Sequence, residues 1–342
     1  MQIVNNTPVI KDLVLIGGGH SHVAVLKKFA MNPLPGLQVT LITRDVHTPY
    51  SGMLPGYIAG HYSYDESHID LRPLAKFCGA RLIHASATFL ELEKNQVFCG
   101  DRPPINYDVL SINTGSTPSH IEVPGSKQYA LAVKPINQFL IAWDALMQKV
   151  LEQKGEFKVV IVGAGAGGVE VALAAQFHLQ QLLREHSLTT EKLRFDIISG
   201  NGPILATHNA SVQNRFTRVF SERGINVHKG SKAKRVNENT IELVNGESIQ
   251  ADAIIWATHA SAPTWYKESG LAVDEQGFIK IDDSLQSVSH KNVFAAGDIA
   301  TVTNYPRPKS GVFAVRQGPP LYKNIRRALT NRALKKHVPQ IN

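Results

Sequence analysis

Two apolar runs that end in closely spaced glycines constrain this chain more than any other feature. Leu13-Val14-Leu15-Ile16 leads into Gly17-Gly18-Gly19-His20-Ser21-His22, and Val159-Val160-Ile161-Val162 leads into Gly163-Ala164-Gly165-Ala166-Gly167-Gly168-Val169-Glu170. Each reads as a buried strand, a bare turn and a helix start, the G-x-G-x-x-G arrangement of a dinucleotide site. A pyrophosphate sits against unpaired backbone N–H groups at a helix N-terminus, and a Cβ at the point of approach holds it away. Gly17 and Gly19, and again Gly163 and Gly165, supply that bare backbone. The third glycine lets the helix pack closely on its strand. Gly168 fills that slot in the second motif, but His22 stands in it in the first, so either the first helix stands off its strand or His22 turns out of the interface. Two such sites imply two nucleotides, most simply a flavin and a nicotinamide.

The pattern is that of an α/β chain with two Rossmann-like (FAD/NAD(P)-binding) domains, the second inserted in the first. Leu37 to Ile42 reads as the next parallel strand and ends in Thr43-Arg44-Asp45, where a ribose partner belongs. Thr43 offers a hydroxyl and Asp45 reaches from the turn, while Arg44 is placed to lie against adenine or pyrophosphate. The turn-rich loop from Pro49 to Gly56 is a candidate for flavin contact. The strand Asp108 to Ile112 followed by Asn113-Thr114-Gly115, and the stretch Asp252 to His259, each mark a chain passage between domains. The expected boundaries are therefore 1–125 plus 263–342 for a discontinuous FAD-binding domain and 126–262 for an NAD(P)-binding domain. Gly297-Asp298 is expected to begin the last helix of the first domain, with the Asp298 carboxylate accepting from a ribityl chain. Strand Phe195 to Ile198 ends in Ser199-Gly200-Asn201, with neither a carboxylate nor an adjacent arginine, which predicts weak discrimination between NADH and NADPH.

A length of 342 residues suits two domains, and 43% hydrophobic with 19% charged residues suits a globular chain. No run approaches the ~18 apolar residues of a membrane-spanning helix, and residues 1–11 lack the layout of a secretory signal, so a cytoplasmic location is expected. The only two cysteines, Cys78 and Cys99, lie outside any C-x-x-C pattern, so electrons are expected to leave a flavin directly rather than through a thiol pair. Of the net charge of +8, much sits in Lys323, Arg326, Arg327, Arg332, Lys335 and Lys336. With Ile325, Leu329 and Ala333 at helical spacing, this tail reads as a final helix with a solvated basic face, or as a contact for anionic lipid. No aromatics interleave with the charges, so nucleic acid is not expected. His20, His22 and His47 lack third and fourth ligands at metal-site spacing, so no metal is expected.

With Gly17-Gly18-Gly19, Asn113-Thr114-Gly115, the second glycine motif with Glu170, and Phe294-Ala295-Ala296-Gly297-Asp298, the chain resembles the pyridine nucleotide-disulfide oxidoreductase superfamily along nearly all its length. It looks most like the branch holding type II NADH dehydrogenases and sulfide:quinone reductases. The strings Gly17 to Leu26 and Asp45 to Gly56 resemble, more narrowly, the flavoprotein half fused to selenide, water dikinase in some bacteria. The resemblance implies FAD, with NAD(P)H as donor. Gly17, Gly19, Thr43, Arg44, Ala87, Thr114, Gly115, Gly297 and Asp298 then contact FAD, Ala87 through its backbone at the adenine, with His20 on the phosphate turn. Gly163, Gly165, Gly168 and Glu170 hold the donor, and Pro55, Arg316 and Gln317 lie near the isoalloxazine. Glu170, Arg316 and Gln317 are thus the candidates closest to the chemistry.

The departures from the branch carry expectations of their own. Val312 and Arg316 stand where the quinone-reducing relatives carry glutamines, and the sulfide enzymes' cysteines have no counterpart. Slow turnover on quinones is expected. Relatives continue into a C-terminal interface domain, which is missing here, so a truncated chain or one half of a fusion is expected. The leading expectation is an NAD(P)H oxidoreductase with an unidentified small acceptor. Its rival is an FAD-binding regulatory or assembly module that serves a selenide, water dikinase partner and turns over poorly.

Overall fold

A computed structural model describes residues 8–118, 123–200, 202–258 and 260–340. Asn201 and His259 lie outside the described residues. The chain packs as two compact units, the first built from Met1–Gly52, His68–Ser116 and Ser261–Asn342, the second from Met53–Ser67 and Thr117–Ala260.

Unit 1 is centred on a five-stranded parallel sheet in the order Val293–Ala295, Val109–Ile112, Lys11–Ile16, Leu37–Thr43, Arg81–His84. Leu13, Val14 and Leu15 are fully buried, as the apolar run requires of a strand covered on both faces. The His20–Met31 helix buries Val25, Leu26 and Phe29, and the Gly311–Leu329 helix buries Leu321, Ile325 and Leu329 in the same core. The last helix begins at Gly311 and not at Gly297. Gly297–Ile299 forms one 3-10 turn, because Ala300–Val302 leaves it to pair in parallel with Ile279–Ile281. At its other end this helix stops at Leu329 with Thr330 as its cap, so Ala333 stands outside it.

Unit 2 repeats the plan. Its five-stranded parallel sheet runs Leu131–Ala132, Ala253–Trp256, Phe157–Val162, Leu193–Ser199, Ile225–Lys229, again with the glycine-bearing strand in the middle. The Ile136–Glu152 and Ala166–Glu185 helices close its core through Phe139, Trp143, Val169 and Ala172. Unit 2 also takes in residues 53–67 and 117–125, which the sequence boundaries assign elsewhere. The short Leu54–Ile58 helix buries Leu54 and Ile58 in the unit 2 core, and the His178 ring binds the Ile58 carbonyl. Among the described residues, no helix is long and apolar enough to cross a membrane.

Candidate functional site

Parallel pairing puts the carboxyl ends of all five strands of unit 1 along one edge, where the crevice of an open α/β sheet receives a ligand. The sequence-derived candidates gather there. Gly17 follows the first strand, Thr43 ends the second, Ala87 follows Arg81–His84, Thr114 and Gly115 follow Val109–Ile112, and Gly297 and Asp298 follow Val293–Ala295. Gly17 has φ +90°, and a Cβ there would stand 2.5 Å from the Asn113 carbonyl oxygen. A Cβ on Gly19 would lie 2.3 Å from Asn113 Oδ1. Both positions demand glycine from inside the protein, whether or not a ligand is bound.

Asn113 is the functional residue that sequence reasoning passed over. Its side chain, 2% exposed, accepts from Ser21 N–H (3.1 Å) and His22 N–H (3.3 Å) through Oδ1 and donates to Ala296 O (2.6 Å). One amide thus fastens the first glycine turn to the Gly297-Asp298 turn. Gln317 does the matching work from the last helix, its Oε1 accepting from Gly297 N–H at 2.6 Å inside the core. Its amide oxygen is therefore engaged in positioning the turn. Arg316 is exposed and donates to Gln340.

His22 neither turns out of the interface nor meets water. The ring is fully buried, with Nδ1 2.6 Å from Gly17 O and Nε2 2.9 Å from Ser111 Oγ. A carbonyl only accepts, so Nδ1 carries the proton and Nε2 accepts from the Ser111 hydroxyl. Burial holds the imidazole neutral and pushes its pKa down to about 4, although the bond to Gly17 works the other way. His20 packs against Tyr50 with ring centroids 4.9 Å apart, and burial lowers its pKa as well.

Around this edge, Thr43 Oγ1 donates to Asp45 O (2.8 Å), so toward any further partner the hydroxyl can only accept. Arg44 is clamped by Asp45, with Nε at 3.0 Å and Nη2 at 2.8 Å from Oδ2. Thr114 Oγ1 bonds the hydroxyl of the fully buried Tyr266 at 2.8 Å, another partner that the sequence did not single out. Ser116 Oγ donates to Asp298 at 3.4 Å. A Cβ on Gly115 (φ +75°) would meet no protein atom within 4 Å, so the strand end is open to a flat ligand. The edge fits FAD: a bare turn, a hydroxyl at the second strand end, and a half-buried carboxylate on the last turn.

In unit 2 the three glycines divide their work. Gly163 has φ +112°, and a Cβ on it would stand 2.7 Å from Ala257 O. At Gly168 a Cβ would lie 1.8 Å from Gly163 O, so that position belongs to helix-on-strand packing. Gly165 and Gly167 have no protein atom within 4 Å of such a Cβ, and both are exposed at the N-terminus of the Ala166–Glu185 helix. Their bareness answers to nothing in the protein and fits a pyrophosphate. Glu170, one turn on, has its carboxyl pushed up by partial burial, against an opposing pull from His208. Beside the end of Leu193–Ser199 stand two cations that the sequence reading did not place. Lys229 is in register with Ser199, and the Lys232 side chain lies over Gly200, with Cγ 2.7 Å from where a Cβ would be. Pro55, expected near the flavin, falls in unit 2 at the start of the Leu54–Ile58 helix.

Cys78 and Cys99 are both free. Burial raises the Cys78 thiol to about 11 and also raises Cys99, opposed there by Arg102. Among the described residues, no group of three or more His, Cys, Asp or Glu is arranged to hold a metal ion.

The family described as pyridine nucleotide-disulphide oxidoreductase matches residues 11–318. Over 340 residues the chain is 25% identical to the NADH dehydrogenase-like protein YutJ of Bacillus subtilis, covering 97% of this chain and 87% of that protein. Among solved structures it is similar to the sulfide:quinone oxidoreductase of Aquifex aeolicus, with a TM-score of 0.77 and 20% identity over 94% of this chain and 77% of that one. The water-forming NADH oxidase of Lactobacillus brevis bound to NADH gives a TM-score of 0.78 and 20% identity, covering 96% and 71%. These likenesses to solved structures concern the fold.

Proposed function

The chain belongs to the pyridine nucleotide-disulphide oxidoreductase family, and from that premise we propose that unit 1 holds FAD, that unit 2 holds NAD(P)H, and that electrons pass to a small acceptor without a thiol relay. The protein is an FAD-dependent NAD(P)H oxidoreductase. The observation that carries the division of labour is the contrast between the two glycine turns. In unit 2, Gly165 and Gly167 face open space, as suits a substrate that enters and leaves. In unit 1 the second glycine, Gly19, is packed on Asn113 where its counterpart Gly165 is open, the first glycines being packed alike, Gly17 on Asn113 and Gly163 on Ala257; the unit 1 turn is further tied to Ala296, as suits a resident cofactor.

Bound FAD supplies the redox chemistry, accepting the hydride of NAD(P)H and releasing electrons to the second substrate. The protein's part is to bind, orient and tune. With the Gly17, Gly19, Ser21 and His22 N–H groups bonded inside the protein, the Gly18 and His20 N–H groups would be the backbone donors to the pyrophosphate, Thr43 would present an acceptor to the ribose, and Asp298 would offer its carboxylate to the ribityl chain. Glu170, its carboxyl shifted up from its ordinary value by desolvation, would accept from a nicotinamide amide. Two thiols held protonated, Cys99 buried and Cys78 partly buried, in place of an exposed thiolate support direct transfer to the acceptor. The strings Gly17 to Leu26 and Asp45 to Gly56 support a finer proposal about the partner, a selenide, water dikinase domain.

The test is anaerobic mixing of the purified yellow protein with NADH or NADPH in a stopped-flow instrument. Rapid bleaching of the flavin absorbance is expected. A chain that retains FAD but is bleached by neither nucleotide overturns this reading.

A further inference from the structure

The basic tail converges on a cavity of its own. The Gly311–Leu329 helix runs beside His20–Met31: Ser21 Oγ donates to Ala314 O (2.5 Å) near their amino ends, and Arg326 Nη1 donates to Asn32 O (2.6 Å) near their carboxyl ends. The amino ends flank the glycine turn. The carboxyl ends lie a helix length away, ~18 Å at 1.5 Å per residue. There a cavity of about 370 Å³ is lined by five cations, Lys323, Arg326, Arg327, Arg332 and Lys335. No carboxylate lines it, and among the described residues none of the five forms an ion pair with Asp or Glu.

A negative helix end accounts for one or two cations in the last turn. It does not account for Arg332 and Lys335, which follow the helix and are folded back over it. A buried side chain does this. Asn324, 1% exposed, accepts from Lys335 N–H (2.9 Å) and donates to Lys335 O (2.8 Å) and to Ser284 O (2.8 Å). Arg332 N–H donates to Arg327 O (2.8 Å), and the Arg327 guanidinium in turn donates to Ala333 O. Arg326 is steadied by Asn32 O and by the Tyr322 hydroxyl at 3.3 Å. The like charges are therefore held together by the fold against their mutual repulsion, and two guanidinium forks are placed before anything arrives, which reduces the ordering cost of binding.

We propose that this cavity binds a compact soluble ligand carrying two or more adjacent phosphate groups, at a site separate from the nucleotide edge. A phosphate group carries roughly −1.5 to −2 charge at neutral pH, so two or three neighbouring groups balance five cations where one does not. Guanidinium forks match phosphate oxygens two at a time, and lysines add mobile point charges. The volume is at the small end of ligand cavities, which suits a headgroup-sized molecule rather than a long chain.

The test is calorimetric titration of the FAD-loaded protein with inorganic tripolyphosphate, with sulfate as a simple anion for comparison. A Lys323→Gln/Arg332→Gln/Lys335→Gln variant spares the two arginines that also hold backbone. One site per chain is expected, about tenfold tighter for tripolyphosphate than for sulfate and about tenfold weaker in the variant, ~1.4 kcal/mol each. The variant should keep its flavin content, melting temperature and NAD(P)H-driven bleaching. The single variant Lys335→Gln should fall between the two. Equal binding by wild type and variant, equal binding of sulfate, or no binding at low salt overturns the site. Retention on vesicles bearing phosphorylated lipid headgroups that tripolyphosphate does not compete away overturns the soluble ligand in favour of a membrane surface.

Discussion

His22 occupies the place of a glycine and turns the exchange into a pH dependence. Its neutral ring bridges Gly17 O and Ser111, and a second proton, on Nε2, would reverse the bond to the Ser111 hydroxyl and put a charge in a fully buried site. The folded pKa of about 4 lies below the ordinary value of 6.5. Between those two values the unfolded chain binds a proton that the folded chain refuses, so stability rises with pH through that window and is fully present above it. The loss on acidification to about pH 4 is ~3 kcal/mol from this residue. Urea melts at a series of pH values should show that slope in the wild type. His22→Gly, which restores the third glycine, should flatten it; an unchanged slope would place the refused proton on another group.

At the scale of the strand, turn and helix, glycines of one motif are expected to respond in opposite ways. Gly165→Val points into open space, so it should leave the melting temperature nearly unchanged while abolishing flavin bleaching by NAD(P)H. Gly168→Ala drives a methyl against Gly163 O at 1.8 Å and should lower stability by roughly 2–3 kcal/mol through overpacking, with nucleotide response lost only as the fold is lost. The reverse pattern in thermal melts and stopped-flow traces would show that the packing and ligand roles have been exchanged. The strand end at Ser199 gives a further prediction and amends an expectation of weak discrimination. The Lys232 stem over Gly200, with Lys229 in register with Ser199, puts two lysines beside the strand end at which a 2′-phosphate is read. Lys232→Gln should weaken NADPH by about tenfold, ~1.4 kcal/mol, and leave NADH alone; equal losses for both nucleotides would remove Lys232 from that role.

These elements also mark how far the sequence could be read. Strand, glycine turn and helix are local objects whose apolar runs and bare turns sit within a dozen residues, so both motifs and the two-domain plan were legible. Asn113, Tyr266 and Lys232 were not, because each acts on a residue brought to it by chain closure over a long separation. The start of the last helix was misplaced for a related reason: the parallel partner of Ala300–Val302 is Ile279–Ile281, and nothing in Gly297-Asp298 itself announces it.

On the scale of the whole molecule, each unit places its glycine-bearing strand in the middle of a five-stranded parallel sheet, and both cysteines lie in unit 1, free and with raised thiols. Joint Cys78→Ser and Cys99→Ala replacement is therefore expected to leave flavin reduction by NAD(P)H and reoxidation within about twofold of wild type. Stopped-flow traces that keep reduction but lose reoxidation would reveal a thiol in the electron path.

The bond from Asn113 to Ala296 spans 183 positions of the chain, and this has a consequence for the protein while it is being made. The first glycine turn leaves the ribosome early, but the segment that fastens it is translated only after all of unit 2 has emerged. At roughly 5–20 residues per second the wait is about 10–40 s. Through that interval the edge of Val109–Ile112 that Val293–Ala295 will cover has no partner strand, while unit 2 gains the last strand of its own sheet, Ala253–Trp256, before Val293–Ala295 is made. In the cell the donor site is complete before the cofactor site can close.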